Sequence, residues 1–114
     1  MAKFLTIGYG DQAGYDRTDA TVRREAHRQD AQLQAQGAVV GVAGQPVQVR
    51  NPEAAALRTD AGSFMRSDLP VAGFALIEAD DIDHAVAKVS TTPCAVAHGV
   101  VEVWPLETPE GDVT

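Results

Sequence analysis

Of the three histidines, His27 is the best acid–base candidate. An imidazole titrates near neutral pH, and Arg23, Arg24 and Asp30 lie within one helical turn of this one. A working His27 would need an orienting carboxylate. The plainer alternative is a surface helix histidine with Asp30 one turn away. His98, next to Gly99 at a strand start, fits the mouth of a pocket or ordinary loop surface, and His84 is expected in solvent in the first turn of a helix.

Glu102 and Trp104 are two apart in a strand pattern, so they share a face. If that face looks into an enclosed space, Glu102 is a partly buried carboxylate able to act as a general base or ligand anchor. Otherwise it forms a salt bridge across an interface. Tyr9 and Trp104 would supply the walls of such a site, and Glu78 fits a rim position.

Other groups point away from metals and cofactors. Asp80, Asp81 and Asp83 look like a cation cluster, but their placement at a helix start makes them capping residues, and EF-hand spacing is absent. The histidines form no HxH or HExxH pattern. Cys94 has no evident activating neighbour and reads as a structural thiol. Gly8-Tyr9-Gly10 lacks the third glycine of a dinucleotide fingerprint, and Ser63 is not in a nucleophile-elbow pattern. No metal and no cofactor are expected.

The elements that must position these residues are legible from periodicity. Residues 3–9 form a strand with Leu5, Ile7 and Tyr9 on one face and Phe4, Thr6 and Gly8 on the other. Residues 10–14 are turn material. A helix follows, capped by Thr18 or Asp19 and stopped by Gly37, with Val22, Ala26 and Leu33 as a thin apolar stripe. Residues 38–43 are a second strand. Residues 47–50 alternate as a half-exposed strand and pair back with 54–59 as an inserted hairpin; 60–64 form a loop. Residues 71–79 are a strand apolar on both faces, which implies that both are covered. Asp80 or Asp81 then starts a helix whose apolar row is Ile82, Ala85, Val86 and Val89, ended by Thr91-Thr92-Pro93. Residues 99–105 are the last strand.

This order is a βαββαβ unit with a decorated middle, an α+β fold with both helices on one sheet face. The other face would carry either Phe74 and Leu76 or Val71 and Ile77, plus Trp104. A bare apolar sheet of that kind predicts a homodimer with the open faces together.

The chain has 114 residues and is 45% hydrophobic, enough for a single packed domain over 1–106, with a polar tail at 107–114 expected to be disordered. The net charge of −7 disfavours nucleic acid and anionic membrane. A lone cysteine excludes an internal disulfide, and the N-terminal apolar run is too short for a signal segment. No stretch approaches a membrane span, so a cytoplasmic location is expected.

The chain resembles the YciI-like (YCII-related) proteins, in particular the DGPF-domain branch. The carriers are Phe4 to Gly10, the hairpin from Val47 to Asp60, Gly62-Ser63-Phe64, the segment Gly73 to Asp83, and Gly99 to Leu106. The resemblance implies a ferredoxin-like fold paired as a dimeric α/β barrel, with a pocket on each protomer between its sheet and its partner. Relatives of the DGPF branch are often encoded beside extracytoplasmic-function sigma factors, and in the broader group a His and an Asp suggest an enzyme. His27 lies near the family histidine, the family Asp of that pair is missing here, and Asp60 is the one carboxylate with a motif argument to partner His27. The chain departs from the pattern: the DGPF segment reads Asp60-Ala61-Gly62-Ser63-Phe64, the usual Lys-Glu pair is Asp68-Leu69, the closing-strand Arg is Trp104, and the Asp before a proline is Thr92.

Two functional expectations follow. The first is a dimer that binds a small molecule and has residues for acid–base catalysis without a cofactor: His27 moving protons, Asp60 or Glu102 orienting it, Tyr9 and Trp104 as walls. The alternative is a non-catalytic regulatory or interaction module with a partner linked to a sigma factor.

Overall fold

The computed structural model describes residues 1–107. The tail expected over 107–114 therefore lies, from 108 onward, outside the described residues. Four strands form one antiparallel sheet: β1 (Ala2–Tyr9), β2 (Val39–Val42), β5 (Val71–Ala79) and β6 (Val100–Leu106), in the order β2-β5-β1-β6. Two further strands, β3 (Val47–Arg50) and β4 (Arg58–Ala61), pair only with each other and form an arm. The helices are α1 (Gln12–Asp16), α2 (Ala20–Ala35), α3 (Ile82–Val89) and α4 (Pro93–Val96). The fold is α+β with an open antiparallel sheet.

Alternation sorts the sheet into two faces. In register, Phe4 opposes Ile77 and Thr6 opposes Ala75, and on the other side Thr6 opposes Val103. These side chains meet the helices. The core is Phe4, Ile77, Ala79, Ala85 and Val89, with Ala38, Ala75, Val101 and Val103 against it. Leu5, Ile7, Leu76, Phe74, Glu102 and Trp104 point to the opposite face. The two alternatives for β5 are thereby settled: Phe74 and Leu76 share the open face with Trp104, and Ile77 is in the core. Among the described residues that open face is only partly covered: Ile7 is buried, but Phe74 is 45% and Trp104 51% exposed.

Caps explain the helix starts. The Asp19 carboxylate accepts from Thr21 N at 2.9 Å and starts α2; Gly37, at φ +103°, takes the left-handed position after its end. Asp81 caps the helix by accepting from His84 N at 2.8 Å, while His84 Nδ1 accepts from the N–H of the preceding residue, Asp80, at 3.0 Å. The acids at 80–83 thus serve the helix, and His84 is half-buried and bonded, not free in solvent. In α3 only Ala85 and Val89 are buried. Ile82 and Val86 form a second row at the flank and stay partly exposed.

Two short helices lie where turns were expected. Asp11 accepts from Gly14 N at 2.9 Å and starts α1 inside the stretch 10–14. Pro93 ends α3's pattern and also opens α4, at the first helical position that suits proline. In the arm, Glu53 and Ala54 have positive φ and Asn51 Oδ1 accepts from Ala56 N at 3.1 Å, so the turn is wide and the return strand is 58–61 instead of 54–59. The arm makes the molecule long: 53 × 35 × 20 Å, with a radius of gyration of 16.3 Å against about 13 Å for a compact chain of this length. Among the described residues, no helix is long and apolar enough to cross a membrane.

Candidate functional site

The open sheet face brings three of the expected residues together. Glu102 in β6 opposes Ile7 in β1, and Tyr9 is the next residue on the same face. The diagonal places the Tyr9 hydroxyl within reach of the carboxylate, and it donates to Glu102 Oε1 at 2.9 Å. Trp104, two residues along β6, donates its Nε1–H to the same oxygen at 3.2 Å. Among the described residues no donor reaches Oε2. The bond to Glu102, with burial and the carboxylate's negative charge behind it, pushes the Tyr9 phenol above its ordinary pKa. Tyr9 is therefore held as a donor near neutral pH.

Glu102, Tyr9 and Val100 form one wall of a cleft of about 800 Å³. The other wall is the segment from Met65 to Pro70, which brings Arg66 and Asp68 to the rim. A second cleft of about 840 Å³ continues between the arm and the sheet residues Ile7 and Phe74. Both volumes are in the range of small-molecule sites.

The other expected residues lie elsewhere. His27 Nε2 and the Tyr15 hydroxyl are hydrogen-bonded at 2.8 Å, and the Arg23 guanidinium stacks on the Tyr15 ring at 4.9 Å. Tyr15 belongs to α1, so the partner of His27 was invisible without that helix. Asp60 is in β4, ion-paired with Arg50 at 3.1 Å and Arg58 at 3.3 Å. His27 and Asp60 share no hydrogen bond or ion pair. Glu102 is also out of reach of His27, because α2 packs on one face of the sheet and Glu102 points from the other. The arrangement expected from sequence, His27 oriented by Asp60 or Glu102 between Tyr9 and Trp104, is not one constellation but three separate ones.

His27 instead borders a groove on the helix face, of about 410 Å³, shared with Asp30 and Cys94. Burial pushes the Asp30 carboxyl up, with His27 pulling slightly the other way. Burial also raises the Cys94 thiol, and the nearby Asp30 adds to it, which suits a structural thiol and not a thiolate nucleophile. His98 is exposed in the left-handed conformation at φ +64°. On the open face, Lys3 pairs with Glu78 at 3.0 Å and holds that carboxyl below its ordinary range. No group of three or more His, Cys, Asp or Glu among the described residues is arranged to hold a metal.

Two residue sets escaped the sequence reading. The segment 65–70 had no chemical motif, and its role as a wall follows only from where the arm returns. Asp30 did carry a signal: it sits four residues after Ala26 and three before Leu33, in the row that faces the sheet. A scan against models of known protein families matches none of them, and a search of curated proteins finds no match to the chain.

Proposed function

We propose that the protein binds a small molecule on its open sheet face, anchored by Glu102, and that it works as a homodimer. The observation that carries this reading is the network in which Tyr9 and Trp104 both donate to Oε1 of Glu102 beside a cleft of about 800 Å³. Two donors on one oxygen fix the carboxylate's orientation and leave Oε2 for a ligand's donor. A ligand with a polar hydrogen fits this anchor, and with a reactive C–H or O–H the same oxygen is placed to accept the proton.

The sheet order and the crossovers support a ferredoxin-like subunit. The uncovered Phe74, Trp104 and Val100 support pairing of two such sheets into a dimeric α/β barrel, which would close the clefts. Membership of the YciI-like, DGPF-type proteins belongs to the same proposal and rests on the sequence resemblance. His27 has a weaker part in it, since its Nε2 is occupied by Tyr15.

Trp104 is the only tryptophan, so its emission reports on the site. Titration with small hydroxy and amino acids, amides and amines tests the reading. A compound that shifts Trp104 emission should lose tenfold or more in affinity in Glu102→Gln. If every compound that binds does so equally well to that variant, Glu102 is not the anchor.

The second reading, an interaction module with a partner linked to a sigma factor, is favoured by one observation: Val47 and Val49 of the arm, and Phe64 in the segment that follows it, are largely exposed. Replacing Val47 and Val49 by Ser would abolish capture of such a partner and leave ligand binding at Glu102 intact.

A further inference from the structure

A third groove lies on the opposite side of the sheet, with Asp30 on its wall. In α2 the row that packs on the sheet runs Ala26, Asp30, Leu33, and its two apolar members are 1% and 3% exposed. An apolar residue at 30 would extend the core. The chain instead places a half-buried carboxylate there, on the wall of the groove of about 410 Å³. No hydrogen bond and no ion pair reaches its side chain among the described residues. The arginines of α2 are directed elsewhere: Arg23 to the Tyr15 ring, Arg24 to Thr21, and Arg28 to Glu25. Of the two lysines, Lys3 pairs with Glu78 on the open face, and Lys88 donates to Glu78 O at 2.9 Å. Half-burial costs this carboxylate part of its hydration, although its oxygens still meet water, and no donor among the described residues offsets that cost.

The rest of the groove defines what would offset that cost. Val40 comes from β2, Ala75 from β5 and Val101 from β6, so the floor is apolar, with the exposed Val42 at its edge. The polar groups that share the groove with Asp30 are His27, Gln34, Cys94 and the hydroxyls of Thr6 and Thr92, which donate to Ala75 O and Val89 O, and none of them is a fixed cation. The volume lies at the lower end of the range of small-molecule sites. We propose that this groove binds a small primary ammonium compound with a short apolar body, the ammonium paired with Asp30 and the body on the valine floor. A charge-assisted bond in a partly desolvated site is the strong kind, and the net charge of −7 raises the local concentration of cations.

Titration of the full chain with n-butylammonium, followed by amide NMR, tests the site, with n-butanol and n-butyrate as matched probes. The expected result is saturable shifts at Asp30, Cys94 and Val42 with n-butylammonium, and none with the other two. Asp30→Asn should weaken the response tenfold or more; Asn is isosteric and removes a buried charge, so folding is not at risk. Asp30→Ser should do the same. Asp83→Asn, an exposed acid at the start of α3, should leave it unchanged. Absence of saturation in the millimolar range, an equal response in Asp30→Asn, or shifts centred on Tyr9 and Glu102 would each overturn the proposal.

Discussion

The Tyr9 hydroxyl lies 2.9 Å from Glu102 Oε1, across the β1–β6 ladder and on the face that carries no helices. The bond is made by a strand diagonal and depends on no loop, so its geometry is as rigid as the sheet. Its consequence is a titration. The bond to Glu102 raises the Tyr9 pKa in the folded chain, so the folded state holds that proton more tightly than the unfolded state does. The stability this provides is complete below the ordinary tyrosine pKa and is lost as pH rises through the raised one. In a Tyr15→Phe background, tyrosinate absorbance should appear at higher pH than in free tyrosine, and Glu102→Gln should bring it back down. An unchanged midpoint in Glu102→Gln would break the link.

The open face sets the second prediction. Phe74 and Trp104 are about half exposed on a face that carries no helix among the described residues. Light scattering should give a particle of about twice the chain mass, as two-fold closure favours. Phe74→Glu, which puts a charge in the middle of that face, should give the single-chain mass with an unchanged circular dichroism spectrum. A wild-type protein that stays monomeric at micromolar concentration would refute the pairing.

Core and flank of α3 should separate in stability. Ile77 is 2% exposed and packs with Phe4, Ala79, Ala85 and Val89. Ile77→Ala should cost about 2–5 kcal/mol in urea unfolding. Val86, at the flank, is 49% exposed, and Val86→Ala should cost no more than about 1 kcal/mol. Equal losses would mean that Val86 is covered in solution, which would extend the interface to α3.

Close backbone approach at Gly99 makes the fourth prediction. A Cβ there would stand 2.1 Å from Tyr9 O and 2.8 Å from Cys94 O, both backbone atoms that cannot turn aside. Gly99→Ala should destabilise by about 1–3 kcal/mol or more and should also disturb Tyr9's bond to Glu102. Gly44, with nothing within 4 Å of an added Cβ, is the contrast. Gly44→Ala should be neutral or stabilising by about 0.4–1 kcal/mol.

The legibility of this chain follows the length of its periodic segments. β1 and β6 could be read from alternation, β5 from a continuous apolar run, and α2 and α3 from their 3.6-residue rows, because each is long enough to show its pattern. Strands β3 and β4 were half legible: Val47 to Arg50 alternates, but the wide turn at Glu53 and Ala54 displaced the return strand. Helices α1 and α4 have five and four residues, too few for any period, and only Asp11 and Pro93 announced them. The site divides the same way. Glu102, Trp104 and Tyr9 were legible as face-mates, since alternation plus an antiparallel register fixes them. The partner of His27 was not, because Tyr15 reaches it from α1. Asp60 was drawn toward His27 by a motif, yet two arginines of its own arm hold it.

Asp30 gives the last prediction. Burial raises its pKa in the folded chain, so the folded state binds this proton more tightly than the unfolded state. Stability is therefore undiminished below the ordinary aspartate pKa. It falls as pH climbs from there to the raised value and stays lower above it. A protonated His27 opposes this, because its charge favours the carboxylate. Asp30→Asn carries no such charge and should lack the slope. Urea midpoints measured across the acid range should coincide for wild type and variant at the lowest pH at which both fold, then diverge, with Asp30→Asn the more stable at neutral pH by a small margin, since Asp30 is only half-buried. Saturating n-butylammonium should close the gap by stabilising wild type alone. A variant less stable than wild type at neutral pH would mean that the ionised carboxylate is favoured by the fold, and that a donor within the chain reaches it.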